Sequence, residues 1–188
     1  FEGGHRTPFL VRWPGKVKAG STSGETLCTT DLFATLADIL GQRGKLPVTA
    51  GEDSFSFLPA LLGKTGKKPL RPFTIHHSIN GSFAIRRGPW KLALCPGSGG
   101  WSGPKPAAAF KNKTLPLVQL YNLTDDPAEQ KNLSEKKPVL VRELVSQLAT
   151  AIRAGRTNPG PNQSNEGWPN TFNGRVLAKY PALAAPKK

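Results

Sequence analysis

Hydrophobic and polar residues follow two different periods along the chain. Residues 31–40 place their large apolar side chains on one helical face, and residues 138–154 do the same. Gly41 and Gly155 follow these segments directly, as glycine often does where a helix ends. The sequence therefore predicts two helices separated by about a hundred residues of different character.

Short β-rich segments occupy much of the region between the two helices. Four of them are separated by turn residues and predict antiparallel strands, at residues 73–77, 82–86, 90–94 and 117–123. Asn80-Gly81 is a strong two-residue hairpin signal between the first pair, and Gly88-Pro89 separates the next pair. A long loop is expected between the third and fourth strands.

The element order predicts an α/β to α+β architecture. A four-stranded antiparallel sheet with a helix on one face can fold around its own small core. A further strand is expected at residues 8–13, but this strand and the first helix cannot bury both of their faces alone. We predict that residues 1–62 are one piece of a larger α/β domain and that residues 63–72 form a basic linker. Residues 73–155 are expected to form a small sheet-and-helix subdomain, and residues 156–188 an extended tail.

The chain is strongly basic, with 26 Lys and Arg against 12 Asp and Glu and a formal charge of +14. This balance suits an anionic partner or substrate, or a solvated basic surface. The basic residues are scattered and do not line one helix face, so no nucleic-acid partner is expected. No apolar run approaches the roughly 20 residues that cross a bilayer. Cys28 and Cys95 do not form a disulfide framework, and whether they pair stays open.

The sequence contains no methionine and begins at Phe1, just before the strand expected at residues 8–13. We interpret it as a fragment of a longer protein and not as a processed chain.

Few side chains form a constellation that predicts chemistry. His5, His76 and His77 are too few and too far apart to define a metal site by spacing. Neighbouring residues on a strand point to opposite faces, so at most one of His76 and His77 faces a given pocket. No serine is marked as an activated nucleophile. The residues alone therefore assign no reaction.

Four segments resemble, in family order, the formylglycine-dependent sulfatases of type I, and most of all the arylsulfatase-like bacterial members. The first is Phe1-Glu2-Gly3-Gly4-His5-Arg6-Thr7-Pro8. The second is Thr30-Asp31-Leu32-Phe33-Ala34-Thr35-Leu36, where Ala34 replaces the usual Pro. The third combines Leu120-Tyr121-Asn122-Leu123, Asp126-Pro127-Ala128-Glu129 and Asn132-Leu133, and the fourth is Gly155-Arg156-Thr157-Asn158-Pro159-Gly160-Pro161.

The resemblance implies the carboxy-terminal piece of an alkaline-phosphatase-like sulfatase fold, with residues 1–62 as a remnant of its catalytic domain. In this family, a Cys or Ser in Cys/Ser-x-Pro-x-Arg becomes the formylglycine nucleophile. Neither Cys28 nor Cys95 has this context. The divalent cation, usually calcium, is held upstream in the family. We therefore expect no catalytic residue, no metal ligand and no bound cofactor here, and no turnover by this chain alone.

The resemblance also implies a sulfuric ester hydrolase whose substrate is a sulfated saccharide or an aryl sulfate. Loops of the small domain can border the pocket in this family. His76, His77 and Trp101 are accordingly the predicted substrate-binding residues, with Trp101 placed to stack on a ring. A periplasmic or secreted location is expected for an enzyme that acts on external polymers.

Two other functions remain open from the sequence. A non-catalytic basic module that binds polyanions would explain the charge without chemistry. A phosphoester hydrolase of the alkaline-phosphatase superfamily would share the fold, although the Leu120–Leu123 element favours a sulfatase.

Overall fold

The structure, a computed structural model, describes residues 1–165, 167–169 and 172–186. The chain divides into two compact units. The sheet unit comprises Phe1–Thr7, Phe73–Ile152 and Glu166–Lys188. The α1 unit, named after its helix α1 (Asp31–Ile39), comprises Pro8–Pro72 and Arg153–Asn165. Each unit thus combines segments that are distant in the sequence.

The sheet unit is built on four consecutive antiparallel strands. They are β1 (Thr74–His77), β2 (Phe83–Arg87), β3 (Trp90–Ala93) and β4 (Gln119–Asn122). Their spatial order is the order of the sequence, β1-β2-β3-β4. Gly81 and Gly88 both adopt positive φ in the two hairpin turns, which explains why turn residues separate these strands. The four-stranded sheet predicted from the sequence is confirmed.

Helix α4 (Pro138–Ala154) covers one face of this sheet, as expected. Val141, Leu144, Val145 and Leu148 are buried against the strands. Because these residues recur every three or four positions, one stripe of the helix meets the sheet. The core of the sheet unit comprises Ile85, Leu92, Leu94, Val118, Leu120, Val141, Leu144, Val145, Leu148, Ala149, Phe172, Val176 and Leu183.

Two short helices lie where the sequence predicted irregular chain. Within the long loop before β4, Pro106–Lys111 form α3, which starts at a proline as helices often do. Within the tail predicted over residues 156–188, Gly174–Lys179 form α5, and Val176 and Leu183 are buried in the core. The described part of the tail is therefore not simply extended; residues 166, 170, 171, 187 and 188 lie outside the described residues.

The α1 unit contains α1 (Asp31–Ile39) and the single-turn α2 (Leu58–Leu61). Its centre is an ion pair in which Arg71 donates to both carboxylate oxygens of Asp31, at 3.1 Å through Nε and at 2.6 Å through Nη2. The same carboxylate accepts the backbone N–H groups of Cys28 and Phe55. One buried charge thereby ties three separate segments of the unit together.

The strand predicted at residues 8–13 is wrong for this structure, because the segment has no regular secondary structure. A strand requires a hydrogen-bonded neighbour, and no described residue of the α1 unit is in a strand. The predicted apolar face of α1 is also largely uncovered: Leu32, Leu36 and Leu40 are 41%, 53% and 68% exposed, whereas Ala34 and Thr35 on the opposite side are buried.

Within the α1 unit, Arg156 connects the segment Arg153–Asn165 to the segment Pro8–Pro72 through hydrogen bonds. Its Nη1 donates to the backbone carbonyls of Val48 and Pro161, and its Nε and Nη2 donate to Asn158. Gly160 packs directly against the guanidinium, where a Cβ would overlap it. The segment Gly155–Pro161 therefore has a structural role in this unit.

Candidate functional site

The sheet has one apolar face and one polar face. Residues opposite each other on neighbouring strands share a face, so the pairs Thr74–Arg86, Arg86–Lys91 and Lys91–Tyr121 place these side chains on the same side. Alternation along the strands puts the core residues Ile85, Leu92 and Leu120 on the other side, beneath α4. The polar face comprises Thr74, His76, Ala84, Arg86, Lys91, Ala93, Gln119 and Tyr121.

Buried charges occupy the middle of the polar face. Lys91 Nζ lies 3.3 Å from Glu2 Oε2 and 2.9 Å from Glu129 Oε1, and all three side chains are almost fully buried. Arg86 reaches the other oxygen of Glu2 at 2.9 Å. A short hydrogen bond from the backbone N–H of Glu2 to Glu129 Oε2 closes the cluster. Two carboxylates are thus balanced by two cations, which is the condition for burying charge.

Glu2 is held as a carboxylate by these neighbours. The hydrogen bond from the His5 ring lowers the pKa of Glu2 to about 2, and attraction from Lys91 and Arg86 acts in the same direction against the opposing effect of burial. The side-chain carboxylate of Glu2 therefore only accepts hydrogen bonds at any physiological pH. The carboxylate of Glu2 thus attaches the turn Glu2–Gly4 to Arg86 and Lys91 of the sheet.

His5 and His76 stack on each other at one end of the polar face. Their ring centroids are 4.1 Å apart with the planes tilted by 44°. Burial lowers the pKa of His76 to about 3, with His5 and Lys91 adding repulsion, so the ring is neutral. His76 Nε2 is buried and has no hydrogen-bond partner among the described residues. His5 is the partly exposed member of the pair.

Gln119 anchors the loop that follows β3. Its side-chain amide donates to the backbone carbonyls of Cys95 at 2.8 Å and Gly97 at 2.6 Å. Its carbonyl oxygen accepts from Tyr121 Oη at 2.7 Å. Burial raises the pKa of Tyr121 to about 12, so this hydroxyl stays a donor. The start of the Gly97–Trp101 loop is therefore fixed from the polar face.

The tip of the same loop lies against the β1–β2 turn. A Cβ on Gly99 would stand 3.0 Å from Ser78 Oγ and 3.0 Å from Cys95 Sγ, so the loop approaches the turn closely at this glycine. Gly99 also adopts φ +65, a conformation that glycine tolerates best. Beyond this contact, Trp101 and Ile79 are 80% and 72% exposed. The turn and the loop together form one edge of the sheet unit with two uncovered apolar side chains.

The three residues predicted to bind substrate lie in different settings. His76 is on the polar face with its Nε2 shielded. His77 is on the opposite face, exposed, with Nδ1 3.2 Å from the carbonyl oxygen of Ser78 and its ring near Phe83. Trp101 is the most exposed of them. The strand alternation separates the two histidines, and their roles in binding stay predictions.

Several residues of this region were not singled out from the sequence. Lys91 and Gln119 lie at unremarkable positions in the sequence, and only the strand alternation could have placed them on the face opposite the apolar core. Glu129 was noted only as the last residue of the Asp126-Pro127-Ala128-Glu129 segment. Glu129 adopts φ +57, which the sequence gives no reason to expect at a glutamate.

The described residues hold no cluster of three or more His, Cys, Asp or Glu that could bind a metal ion. The carboxylates of Glu2 and Glu129 are balanced by the cations of Lys91 and Arg86. Both cysteines are free thiols. In the part of the chain that the structure describes, no helix has the length and apolar character needed to span a bilayer.

No protein-family model matches the chain. Among curated proteins, it is 35% identical over 159 residues to an N-acetylgalactosamine-6-O-sulfatase of Bacteroides thetaiotaomicron, covering 81% of this chain and 28% of that protein. It is 36% identical over 142 residues to human arylsulfatase A, covering 71% of this chain and 27% of that protein. The chain thus spans less than a third of either relative.

Solved structures agree with these relatives. A structure from work on glycosaminoglycan metabolism by B. thetaiotaomicron matches with a TM-score of 0.50 and 31% identity, covering 64% of this chain and 24% of that one. A sulfatase structure from Bacteroides fragilis matches with a TM-score of 0.53 and 21% identity, covering 74% and 28%. The fold is that of a piece of the alkaline-phosphatase-like hydrolases. Within that class, the chain belongs to the sulfatase family.

Proposed function

We propose that this chain is part of a longer sulfuric ester hydrolase that acts on sulfated saccharides or aryl sulfates. The observation that carries the proposal is the 35% identity to an N-acetylgalactosamine-6-O-sulfatase over 81% of the chain. The similarity to an arylsulfatase supports the same chemistry. Because the chain spans only 28% of the first relative, turnover belongs to the longer protein and not to these residues alone.

Within that protein, the sheet unit supplies scaffold and substrate-selecting loops. His77 and Trp101 are the members of the predicted set that a substrate can reach, because both are exposed. His76 has an indirect role, since its Nε2 is shielded from a ligand and its ring packs against His5. Exposed aromatic rings bury large apolar area on a ligand at little cost in conformational entropy. Trp101 therefore stacks on the ring of the leaving alcohol.

The catalytic nucleophile and the divalent cation of the family are supplied by other parts of the longer protein. The described residues do not fit a cation, because no acidic cluster of sufficient size is present. Neither free thiol lies in a Cys-x-Pro-x-Arg sequence. A location in the periplasm or outside the cell follows if the substrate is an external sulfated polymer.

The proposal is tested first by the coding sequence upstream of Phe1. A Cys/Ser-x-Pro-x-Arg sequence is expected there in the same reading frame. The full-length protein, made in a host that forms formylglycine, should release sulfate from N-acetylgalactosamine 6-sulfate or from 4-nitrophenyl sulfate, whereas the 188-residue chain should release none. Absence of the sequence together with salt-sensitive heparin binding would favour a polyanion-binding module. Release of phosphate from 4-nitrophenyl phosphate alone would favour a phosphoester hydrolase.

The substrate-selecting role is tested in the same full-length protein. His77→Ala and Trp101→Ala should each raise KM or change the preference between the two sulfate esters. Val139→Ala removes another exposed apolar side chain of the sheet unit and should change neither. Unchanged kinetics in both loop variants would refute the roles assigned to His77 and Trp101.

A further inference from the structure

Helix α1 turns its large apolar side chains toward solvent and its small side chains toward the rest of the α1 unit. The residues buried in the unit are Ala34, Thr35 and Ala37. A surface helix of a globular protein ordinarily has the reverse arrangement, with its large apolar side chains against the core. The apolar face of α1 comprises five side chains that are between 36% and 68% exposed, namely Leu32, Phe33, Leu36, Ile39 and Leu40.

Hydrogen bonds hold the helix in this rotation. The backbone N–H of Ala34 donates to Ser54 Oγ at 2.9 Å, and the backbone N–H of Phe57 donates to Thr35 Oγ1 at 3.0 Å. The carboxylate of Asp31, at the start of the helix, is buried in an ion pair. Turning the apolar face inward would break all three contacts and leave buried polar groups without partners. The apolar face is therefore presented outward by the fold of the unit itself.

A cavity adjoins the apolar face of α1. Its volume is about 210 Å³, and its lining includes Phe33 of that face together with Leu46, Val48, Pro159 and Pro161. Val48 is 66% exposed, so the lining is also accessible from solvent. Pockets that bind small molecules usually measure roughly 300–1,000 Å³. This smaller space suits one large side chain of a protein segment better than a whole small molecule.

The similarity to longer proteins indicates what covers this surface. Contiguous exposed apolar side chains mark interaction sites on soluble proteins. The chain spans 28% of the N-acetylgalactosamine-6-O-sulfatase and 27% of arylsulfatase A, so most of a protein of that length lies outside it. A covalently connected segment has an effective concentration on the order of millimolar, which favours it over a second copy in dilute solution.

We propose that an apolar segment of the longer protein, outside these 188 residues, packs on the apolar face of α1 and inserts one large side chain into the cavity beside Phe33 and Val48. The inference rests on that part of the proposed function which makes this chain a piece of a longer protein. It does not depend on which ester that protein cleaves.

Cysteine labelling of the full-length protein tests whether the surface is covered. Leu40→Cys and Val48→Cys place thiols at positions that are 68% and 66% exposed in this chain, and Val139→Cys is the matched control at 59%. Peptide mass spectrometry follows each introduced thiol, with its rate in urea as the reference. We expect the first two thiols to react at least about tenfold more slowly than the control, because a covered thiol reacts only when its surroundings open.

A measurement on the wild-type full-length protein replaces any variant that does not fold. Hydroxyl-radical labelling should modify Leu36 and Leu40 much less than Val139, although all three are exposed in this chain. Modification of the two leucines as extensive as that of Val139 would overturn the inference.

The outcomes of cysteine labelling also distinguish the possible occupants. Rates at Leu40→Cys and Val48→Cys that equal the control overturn the inference. Slow rates that increase on dilution, together with the mass of a dimer in sedimentation, assign the surface to a second copy and overturn it as well. A slow rate at Leu40→Cys with a fast rate at Val48→Cys overturns the insertion into the cavity.

Sulfate release by the wild-type protein is measured separately and decides the proposed function. Slow labelling in a monomer that releases no sulfate would refute ester hydrolysis and leave the interface standing. Fast labelling in a protein that releases sulfate would do the opposite. Slow, concentration-independent labelling of a monomer is the result that we expect.

Discussion

Lys91 and Glu129 form an ion pair inside the sheet unit, with Lys91 Nζ 2.9 Å from Glu129 Oε1 and side chains only 3% and 2% exposed. Glu2 shares the same cation at 3.3 Å. Because Glu129 also adopts a left-handed backbone conformation, the fold holds this carboxylate in place at some cost in local strain. Lys91 thus bridges the Asp126–Glu129 turn and the Glu2–Gly4 turn, which are also joined directly by the hydrogen bond from the Glu2 N–H to Glu129.

We expect Lys91→Met to destabilise the chain by about 3–5 kcal/mol, because it leaves Glu2 and Glu129 buried without their shared cation. The measurement is the free energy of unfolding in urea. Arg87→Met is the matched control: its ion pair with Glu143 is partly exposed at 2.8 Å, and its loss should cost less than about 1 kcal/mol. Similar effects of the two variants would contradict the assigned importance of the buried cluster.

The ion pair between Asp31 and Arg71 should have a comparable role in the α1 unit. Asp31→Asn keeps the shape of the side chain but removes the negative charge that faces the buried Arg71 guanidinium, so we expect a loss of about 3–5 kcal/mol. Hydrogen exchange followed by mass spectrometry should show faster exchange at the amides of Cys28 and Phe55, which donate to this carboxylate.

The control for this prediction is Asp38→Asn. Asp38 lies 3.9 Å from Arg43, and both side chains are partly exposed, so its loss should change stability by less than about 1 kcal/mol. If both aspartate variants unfold at the same urea concentration, the pair with Arg71 does not stabilise the α1 unit.

The strands and long helices could be predicted because local signals agree with tertiary packing there. Asn80-Gly81 and Gly88-Pro89 mark turns, and the periods between them are those of β1 to β3. Residues 8–13 have an equally good strand pattern but no neighbouring strand within the α1 unit. The hydrophobic pattern shows that a segment tends to adopt an extended conformation, whereas hydrogen bonding to a neighbouring strand decides whether it becomes a strand.

The candidate site was predicted only in part for a related reason. The alternation of His76 and His77 correctly implied that they face opposite sides of β1. The joining of Lys91 to Glu129, and of Gln119 to Cys95, depends on long-range geometry that periodicity does not carry. His5 was considered only as a metal ligand, because its partner Glu2 belongs to a turn whose position on the sheet cannot be inferred from spacing.

The low pKa of His76 predicts a particular dependence of stability on pH. Burial, with repulsion from His5 and Lys91, lowers its pKa from 6.5 to about 3. Below about pH 6.5 the unfolded chain binds a proton that the folded chain does not, so the free energy of unfolding falls as the pH decreases, by at most about 1.4 kcal/mol per pH unit. His76→Phe keeps a ring against His5 and should remove this slope.

The measurement is urea unfolding of wild type and His76→Phe at about pH 7 and about pH 5, where we expect wild type alone to lose roughly 2 kcal/mol to this residue. Glu2 provides an internal check at lower pH. Its pKa is lowered from 4.5 to about 2, so its stabilisation is present above pH 4.5 and is lost as the pH falls toward 2 in both proteins. Equal slopes above pH 4.5 would contradict a buried neutral His76.

Gly99 should determine how closely the Gly97–Trp101 loop packs on the β1–β2 turn. In Gly99→Ala the new Cβ meets Ser78 and Cys95 and also strains a backbone at φ +65, so we expect a destabilisation of more than about 1 kcal/mol. Gly100→Ala is the matched control, because its Cβ would meet only Ile79 at 3.9 Å, an ordinary contact. The neighbouring glycine should therefore tolerate the same methyl group.

Cys95 reports directly on this packing. It is 3% exposed, and burial raises the pKa of its thiol, so a thiol reagent should label it slowly in a Cys28→Ser background. Gly99→Ala should increase the labelling rate several-fold by lifting the loop from Cys95, whereas Gly100→Ala should leave the rate unchanged. Equal rates in the two alanine variants would mean that the loop is not seated on the turn through Gly99. Such a result would also weaken the case for Trp101, because an unseated loop cannot hold its aromatic ring in a fixed position.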